Sequence, residues 1–423
     1  SSLNYTIQIQ YGSLTIQPRA LTVSGATASD KVYDGTPAAS VSGAVLQGVL
    51  EQDIGQVSLV QDTTGQFNQT DAGNDIAVVT SMALTGTKSG NYSLEQPGLF
   101  ADILPRPITV TADAENKTYG DADPELTWQL TAGSLIGTDA PTGTPSRETG
   151  EDVGEYTISQ GSLDFGDNYA VSFANNKLTI TARPITVTAD SQSKPYGDVD
   201  PELTWQVTAG SLVGTDAPTG ALSRADGEDI GAYAILPGSL AFGSNYAVSF
   251  ESNNLTITAR AITVTADLKT KIYGNTDPEL TWQVTIGSLV GTDAPTGTLS
   301  RAAGEAVGGY AIEQGSLDFG DNYTVAYVSN NLTITARPIT VTADSQTKTY
   351  GDADPDLTWL VTAGSLVGTD APTGKLSRVT GEDFGGYAIE QGSLYFGDNY
   401  SVTFIGSDLT ITARSITVTA DLK

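Results

Sequence analysis

A period of 77 residues constrains this sequence more than any other feature. Each of the four tryptophans lies 77 residues after the one before it, and four Tyr-Gly pairs keep the same interval. The strings ITVTAD, GTDAPTG, F-G-[DS]-N-Y and LTITAR recur with that spacing. Self-similarity at a fixed period indicates tandem structural units that stack on their neighbours. The tryptophans are Trp128, Trp205, Trp282 and Trp359, and the tyrosines of the pairs are Tyr119, Tyr196, Tyr273 and Tyr350.

The arginine that ends each LTITAR string divides the chain into predicted domains. Four repeats are assigned to 106–183, 184–260, 261–337 and 338–414. A divergent unit that contains the string KVYDGT fills 19–105. We expect 1–18 to be the tail of a truncated upstream repeat, because 4–23 match 168–187 in pattern, and 415–423 to start the next repeat.

Short alternating strings rich in Thr, Val, Ile, Tyr and Phe predict β-strands. Leu126, Trp128 and Leu130 alternate with polar residues and therefore share one strand face. No segment has helical spacing of apolar residues, and at most one short helix is expected, near 133–139. The sequence thus predicts a mainly β chain, a linear tandem array of small β-sandwich or β-grasp-like domains, and leaves these two arrangements open.

The junctions between repeats contain no flexible linker. In 178–190 the apolar positions change from even to odd numbers at Arg183-Pro184, which predicts that one strand ends and the next begins with its faces reversed. Proline fixes its own φ and favours an extended residue before it. The sequence therefore predicts short rigid strand junctions and a semi-rigid, monomeric rod in which each repeat contacts its neighbours.

Composition excludes several classes of function. The chain has 49 acidic and 20 basic residues, a net charge of −29, so it repels nucleic acid and anionic membranes. Histidine and cysteine are absent, which excludes Ser-His-Asp and Cys-His catalysis and thiolate or imidazole metal sites. We expect no enzyme, no catalytic residue and no membrane insertion. The absence of cysteine favours an exported bacterial protein, extracellular or at the cell surface.

An acidic string follows every Tyr-Gly pair. Carboxylates of this density can hold calcium, but Asp and Asn before Pro are also common turn formers. We favour the turn and assign no metal site or cofactor, with calcium as the alternative. The residues are Asp121, Asp123 and Glu125; Asp198, Asp200 and Glu202; Asn275, Asp277 and Glu279; and Asp352, Asp354 and Asp356.

Two aromatic motifs have both a structural and a binding interpretation. The tryptophan of each repeat could stack on a sugar, but its strand face is shared with two aliphatic residues, so we expect it in the core. The string Asp167-Asn168-Tyr169 could present polar groups to a glycan. We favour a tight turn in which Asn168 adopts a left-handed conformation and Tyr169, Val171 and Phe173 point inward. Ligand-binding residues are therefore left unassigned.

The ordered motifs resemble a known family. Tyr-Gly, Leu-Thr-Trp, F-G-[DS]-N-Y, LTITAR and RPITVT are similar to the bacterial MBG domain of the YGX type. Lys31, Tyr33, Asp34 and Gly35 of the divergent unit resemble the YDG domain. The resemblance implies a long array in a secreted or surface-attached adhesin and supplies no catalytic residues.

Two hypotheses follow. In the first, the repeats are the stalk of a large bacterial adhesin that acts in cell attachment or biofilm formation. In the alternative, each repeat binds extracellular polysaccharide or host glycans weakly, and repetition supplies avidity.

Overall fold

A computed structural model describes residues 5–419, and these are almost entirely β-structure. The only helices in this part of the chain are two short 3-10 turns in the first domain, Glu51–Asp53 and Ser89–Asn91. The sequence allowed at most one short helix near 133–139, and none forms there, because Gly133 and Gly137 have φ of 81° and 57°. These left-handed conformations cannot continue a right-handed helix, and Asp139 N instead closes a turn on Ile136 O.

The residues group into two compact units by their internal contacts. The first comprises Ser1–Val187, Val207–Thr219 and Ala241–Ser249, and the second Thr188–Gln206, Gly220–Leu240 and Phe250–Lys423.

The first domain has eleven strands in three sheets. A three-stranded sheet has the order β10-β1-β5, a six-stranded sheet the order β2-β4-β7-β8-β11-β3, and β6 pairs with β9. The strands are β1 Arg19–Ser24, β2 Thr27–Ala28, β3 Lys31–Val32, β4 Ala38–Ser42, β5 Val45–Gln47, β6 Ser58–Val60, β7 Thr64–Phe67, β8 Gly73–Thr80, β9 Ala83–Thr85, β10 Tyr92–Leu94 and β11 Leu99–Leu104.

Each of the four repeats has seven strands in the same chain order. In repeat 1 they are β12 Arg106–Ala112, β13 Glu115–Thr118, β14 Trp128–Ala132, β15 Ser146–Arg147, β16 Gly154–Ser159, β17 Tyr169–Ala174 and β18 Asn176–Thr181. In repeat 2 they are β19 Arg183–Ala189, β20 Gln192–Pro195, β21 Trp205–Ala209, β22 Ser223–Arg224, β23 Gly231–Leu236, β24 Tyr246–Glu251 and β25 Asn254–Thr258.

The remaining two repeats preserve this order. In repeat 3 the strands are β26 Arg260–Ala266, β27 Lys269–Ile272, β28 Trp282–Ile286, β29 Ser300–Arg301, β30 Gly308–Glu313, β31 Tyr323–Val328 and β32 Asn330–Thr335. In repeat 4 they are β33 Arg337–Ala343, β34 Gln346–Thr349, β35 Trp359–Ala363, β36 Ser377–Arg378, β37 Gly385–Glu390, β38 Tyr400–Ile405 and β39 Ser407–Thr412.

Every repeat is built from a three-stranded and a four-stranded sheet. In repeat 1, β12 lies between antiparallel β14 and parallel β17. The second sheet has the order β13-β18-β16-β15, with β13 and β18 parallel. Ala112 of the first sheet packs with Ile158 and Leu178 of the second, and Leu126 and Phe173 cover them. The prediction of tandem small β-domains is confirmed, and the arrangement within this repeat is that of a sandwich.

The face reversal predicted at the junctions is present. Leu178 and Ile180 of β18 are buried, and so are Ile185 and Val187 of β19. Only residue 182 separates these two strands, so the even and odd buried positions require the reversal. The junction arginine lies in the first strand of the following repeat, one residue before the predicted boundary at 184.

The two flanking segments do not extend these sheets. Residues 5–18 are exposed and form no strand, and neither do residues 413–419. The predicted tail at 1–18 and start at 415–423 lie partly outside the described residues. Within the described part, no helix is long and apolar enough to cross a membrane.

Candidate functional site

The motifs of the sequence converge on the joint between successive domains. Asp216 Oδ2, from the GTDAPTG string of repeat 2, accepts a hydrogen bond from Tyr119 Oη of repeat 1 at 2.9 Å. It also accepts one at 2.6 Å from Tyr246 Oη of its own repeat. The two tyrosine rings meet edge to face with centroids 5.5 Å apart. One carboxylate thus joins the Tyr-Gly pair of one repeat to the F-G-[DS]-N-Y string of the next.

The same triad is present at the other three joints. Burial and the hydrogen bond to Asp139 raise the pKa of Tyr33 to about 12, which keeps this hydroxyl a donor at physiological pH. The remaining triads are Tyr33, Asp139 and Tyr169; Tyr196, Asp293 and Tyr323; and Tyr273, Asp370 and Tyr400.

The glycine of the first three Tyr-Gly pairs is required by close approach of the next domain. Gly120 has a φ of 82°, and a Cβ placed on it would lie 2.4 Å from Val213 Cγ2 of repeat 2. Such a distance is a steric clash, and the left-handed φ disfavours a side chain independently. Gly197 and Gly274 meet Val290 and Val367 in the same way. The pair therefore supplies a donor hydroxyl and a flat contact surface side by side.

The asparagine of F-G-[DS]-N-Y forms hydrogen bonds to a loop of the preceding domain. Asn245 Oδ1 accepts from Val153 N at 2.9 Å, and its amide nitrogen donates to Asp152 Oδ1 at 2.8 Å. Asn168 and Asn322 make equivalent pairs of bonds to the domain before them.

The turn was predicted correctly, but its left-handed residue was not. Gly166 has a positive φ of 75° and its carbonyl accepts from Tyr169 N, whereas Asn168 does not have a positive φ. Glycine adopts this conformation at less cost than asparagine, so Asn168 is free to fasten the joint. Tyr169 is buried as predicted.

The junction arginine bridges the two domains through the backbone. Arg183 Nε donates to Tyr119 O at 2.8 Å, and its Nη2 pairs with Asp121 at 2.5 Å. Arg260 makes the equivalent bonds to Tyr196 O and Asp198. The first residue of each acidic string, Asn275 in repeat 3 and an aspartate in the other repeats, is thus a partner of the arginine.

A second recurring cluster lies within each repeat. The ammonium of Lys117, whose side chain is 4% exposed, contacts Asp123 at 2.6 Å and Glu151 at 2.5 Å. Arg147 pairs with the same two carboxylates and lies 5.5 Å from the ring centroid of Tyr156. We call these four charged residues the ion-pair square. Its copies are Lys194, Asp200, Arg224 and Glu228; Lys271, Asp277, Arg301 and Glu305; and Lys348, Asp354, Arg378 and Glu382.

The square accounts for the aspartate at the third position of each acidic string, such as Asp123 in repeat 1. Hydrogen bonds from Arg147 and Lys117 lower the pKa of Asp123 to about 2. Hydrogen bonds with Asp123 and Glu151 raise the pKa of Lys117 although burial opposes its charge. Both cations therefore stay charged at neutral pH, and the two carboxylates neutralise them.

Family models match these recurring motifs. The model for the MBG domain (YGX type) matches residues 108–179, 185–256, 262–333 and 339–410. The chain belongs to the MBG domain family. A YDG domain model matches residues 17–98, so the joints link one YDG domain and four MBG repeats in tandem.

Other comparisons add little. No curated protein matches this sequence. Similar solved structures include the protocadherin gamma B2 extracellular cadherin domains 1–5, 9% identical with a TM-score of 0.19, covering 89% of this chain and 91% of that one. The protocadherin gammaB4 extracellular domain is 9% identical with a TM-score of 0.22, covering 91% of this chain and 81% of that one. The S-layer protein rSbsC(31-844) is 13% identical with a TM-score of 0.15, covering 89% and 65%.

The acidic string of the MBG repeats does not gather into a metal cage. Across residues 5–419 no group of three or more acidic side chains is arranged to hold a metal ion. Asp121 faces Arg183 and Asp123 faces Lys117 and Arg147, while Glu125 is exposed.

The MBG tryptophan is half-buried in the sandwich. Trp128 packs edge to face on Phe165 with centroids 5.3 Å apart, and Trp359 packs likewise on Phe396 at 5.2 Å. These contacts agree with the core prediction. Trp359 also lines an open groove of about 620 Å³ together with Asp356, Lys375 and Ser377. Repeat 2 has the equivalent groove at Trp205.

Sequence reasoning missed the joint contacts and the square. Lys117 and the Gly150-Glu151 pair recur every 77 residues, and in a chain with 20 basic residues that recurrence was a usable signal. The joint had no such local signal, because Tyr119 and Asp216 are 97 residues apart.

Proposed function

We propose that these domains form the semi-rigid extender of a large bacterial adhesin, secreted or attached to the cell surface, that acts in cell attachment or biofilm formation. The observation that carries the proposal is the joint, which repeats the same Tyr-Asp-Tyr triad between every pair of successive domains. An array with one joint geometry gains length in equal steps. This chain contributes no catalysis, and its direct partners are its own neighbouring domains.

Each joint combines several restraints on bending. Residue 182 alone separates the strands of repeats 1 and 2, so there is no slack in the chain. Tyr119 donates a hydrogen bond to Asp216, Asn245 donates one to Asp152, and Arg183 donates one to the carbonyl of Tyr119. These bonds lie on different parts of the interface. A hydrogen bond to a charged group contributes about 1.5–3 kcal/mol, so a joint with several of them resists opening.

The size of the repeats makes such joints necessary. A domain of about 77 residues buries only about 60% of the surface of its unfolded chain, so it is marginally stable alone. In linear arrays, interfaces with neighbours supply part of the stability. The net charge of −29 keeps separate chains apart, which suits a monomeric extender at the cell exterior.

Small-angle X-ray scattering of this chain, and of versions with fewer repeats, tests the extender. We expect the maximum dimension to grow linearly by roughly 30–45 Å per domain, which gives on the order of 150–220 Å for five domains. A compact particle, or one whose dimension grows as a flexible chain does, would contradict the proposal.

The groove beside the tryptophan favours a second candidate function, weak glycan binding by every repeat. Trp359 and Trp205 each line a groove that acidic and hydroxyl side chains also line. Repetition would convert a weak site into useful avidity. Binding of this chain and of a two-repeat version to a panel of glycans and matrix polysaccharides tests it. Affinity that rises steeply with repeat number supports it, and no binding across the panel rejects it.

A further inference from the structure

The YDG domain has a copy of the surface that receives a neighbour at every MBG joint, and no other domain in residues 5–419 covers it. Asp53 is buried and accepts a 2.7 Å hydrogen bond from Tyr92 Oη, as Asp139 does from Tyr169. Leu50 N donates to Tyr92 Oη, which is the bond that Ile136 N makes to Tyr169. The YDG domain therefore reproduces the receiving half of the triad despite its different sheets.

The YDG domain also has the arginine and the asparagine that contact the preceding domain at the MBG joints. Arg19 Nε donates to Gly48 O, as Arg106 Nε does to Ser134 O at the first joint. Asn91 directly precedes Tyr92, as Asn168 precedes Tyr169. Arg19, Leu50, Asp53, Asn91 and Tyr92 together form what we call the receiving face of the YDG domain.

Within residues 5–419 this face has no neighbour. The carboxylate of the Asp at each MBG joint accepts from two tyrosines, whereas among the described residues the Asp53 carboxylate accepts from Tyr92 alone. Leu50 is 40% exposed, although its counterpart Ile136 is half-buried against Gly35 of the preceding domain. Asn91 is exposed, while Asn168 is half-buried in its joint.

We propose that the receiving face of the YDG domain binds the Tyr-Gly turn of an MBG repeat of the YGX type. The tyrosine hydroxyl of that repeat donates to Asp53, and its glycine packs on Leu50. Asn91 forms hydrogen bonds to the loop of that repeat equivalent to 152–153. The string Leu14-Thr15-Ile16, five residues before Arg19, matches Leu178-Thr179-Ile180 of an MBG repeat. Five residues before Arg106, the YDG domain instead has Ala101-Asp102-Ile103. Residues 14–16 therefore resemble the last strand of an MBG repeat and not that of a YDG domain, which favours an MBG repeat as the occupant.

An added repeat tests this interface by cross-linking. A second copy of 338–414 is placed directly before Ala20, so that its last arginine takes the position of Arg19. This chain has no cysteine, so Gly351→Cys in the added copy and Leu50→Cys form the only possible disulfide within one molecule, which migrates as a monomer. We expect it to form as fully as in a benchmark chain with Gly274→Cys and Val367→Cys. In that occupied joint a Cβ on Gly274 would lie 3.2 Å from Val367 Cβ, near the range for a disulfide.

Two further chains make the result specific. Val79→Cys in place of Leu50→Cys puts an exposed thiol on β8 of the same domain, and we expect little cross-linking there. Asp53→Asn added to the Leu50→Cys chain removes the charged acceptor and slows cross-linking roughly tenfold. Equal cross-linking at Val79, or no effect of Asp53→Asn, overturns the proposal. A benchmark that cross-links while Leu50→Cys does not also overturns it, and leaves the extender function intact.

Discussion

At the scale of the residue, this protein uses charge where a larger domain would use apolar burial. Lys117 is as buried as the core aliphatic residues, yet its ammonium is held by Asp123 and Glu151. A buried ammonium without partners is costly, so the two carboxylates and Arg147 form one unit. Each MBG repeat keeps this unit, which ties the Asp-Pro turn to the strand that begins at Gly154.

Removal of the buried lysine is expected to destabilise its repeat. Lys117→Met leaves two carboxylates with Arg147 alone, at a cost of about 2 kcal/mol, since hydrogen bonds to charged groups contribute about this amount. Amide hydrogen exchange over residues 106–183 measures it. The control is Lys177→Met in the same repeat, because Lys177 and Glu155 are both 57% exposed. We expect below about 0.5 kcal/mol there, and equal effects would mean that burial of Lys117 is irrelevant.

The square also predicts a loss of stability in acid. Asp123, Asp277 and Asp354 each have a folded pKa of about 2, below the ordinary 3.8, because Arg and Lys hydrogen-bond to the ionised form. The unfolded chain therefore binds these protons at higher pH than the folded chain. Their contribution is fully present above about pH 4 and falls as the pH drops through 2.

Urea unfolding between pH 5 and 2 measures this loss. Tryptophan fluorescence is a suitable signal because each MBG repeat has one tryptophan and the YDG domain has none. Lys117→Met and Lys271→Met together should flatten the decline, since Asp123 and Asp277 each lose one cation. A midpoint that is constant down to pH 2 would contradict the assigned pKa values.

At the scale of the element, the turn at Tyr273-Gly274 is shaped by the domain that follows it. The loop around Val367 presses on Gly274, and Asp370 holds Tyr273 beside Tyr400. Strand propensity does not require a glycine at this point, and the neighbouring domain does.

Gly274→Ala is therefore expected to loosen the joint between repeats 3 and 4. The new Cβ would lie 2.3 Å from Val367 Cγ2, and overpacking of this kind costs about 1–3 kcal/mol beyond the strain of a φ of 79°. Spin labels on Ile286→Cys and Phe384→Cys, both exposed, report the distance between the two repeats. We expect a broader distance distribution in the variant.

Gly351→Ala is the matched control for that experiment. Its φ is 86°, but its Cβ would meet only the guanidinium of Arg414 at 3.6 Å or more, without a side chain of another domain. The backbone strain is thus retained and the clash is removed. If both variants broaden the distances equally, backbone strain alone accounts for the effect.

At the scale of the whole molecule, direct ion pairs take the place that calcium was considered for. The acids after each Tyr-Gly pair face Arg183 and Lys117 in repeat 1, and Arg260 and Lys194 in repeat 2. A cation that bound there would have to displace a basic side chain.

We expect the thermal unfolding midpoint of this chain to be the same in calcium and in chelator. Calcium at 100 times its dissociation constant would stabilise the folded state by about 2.7 kcal/mol per independent site, which would shift Tm by several degrees. Scanning calorimetry with magnesium as a control for ionic strength distinguishes the two results. A rise specific to calcium would restore the alternative of a calcium-stabilised stalk.

The repeats, the β-strands, the inward tryptophan and the face reversal at Arg183 could all be predicted from the sequence. Each of these follows from local alternation of apolar and polar residues, because burial of apolar surface is non-directional and needs no named partner. The specific polar contacts could not be predicted, because they depend on how the domains pack. Tyr119 finds Asp216 across 97 residues, and Lys117 finds Glu151 across 34. Hydrogen bonds require a donor and an acceptor within about 3 Å in a fixed orientation, and only the packed domains bring these groups together.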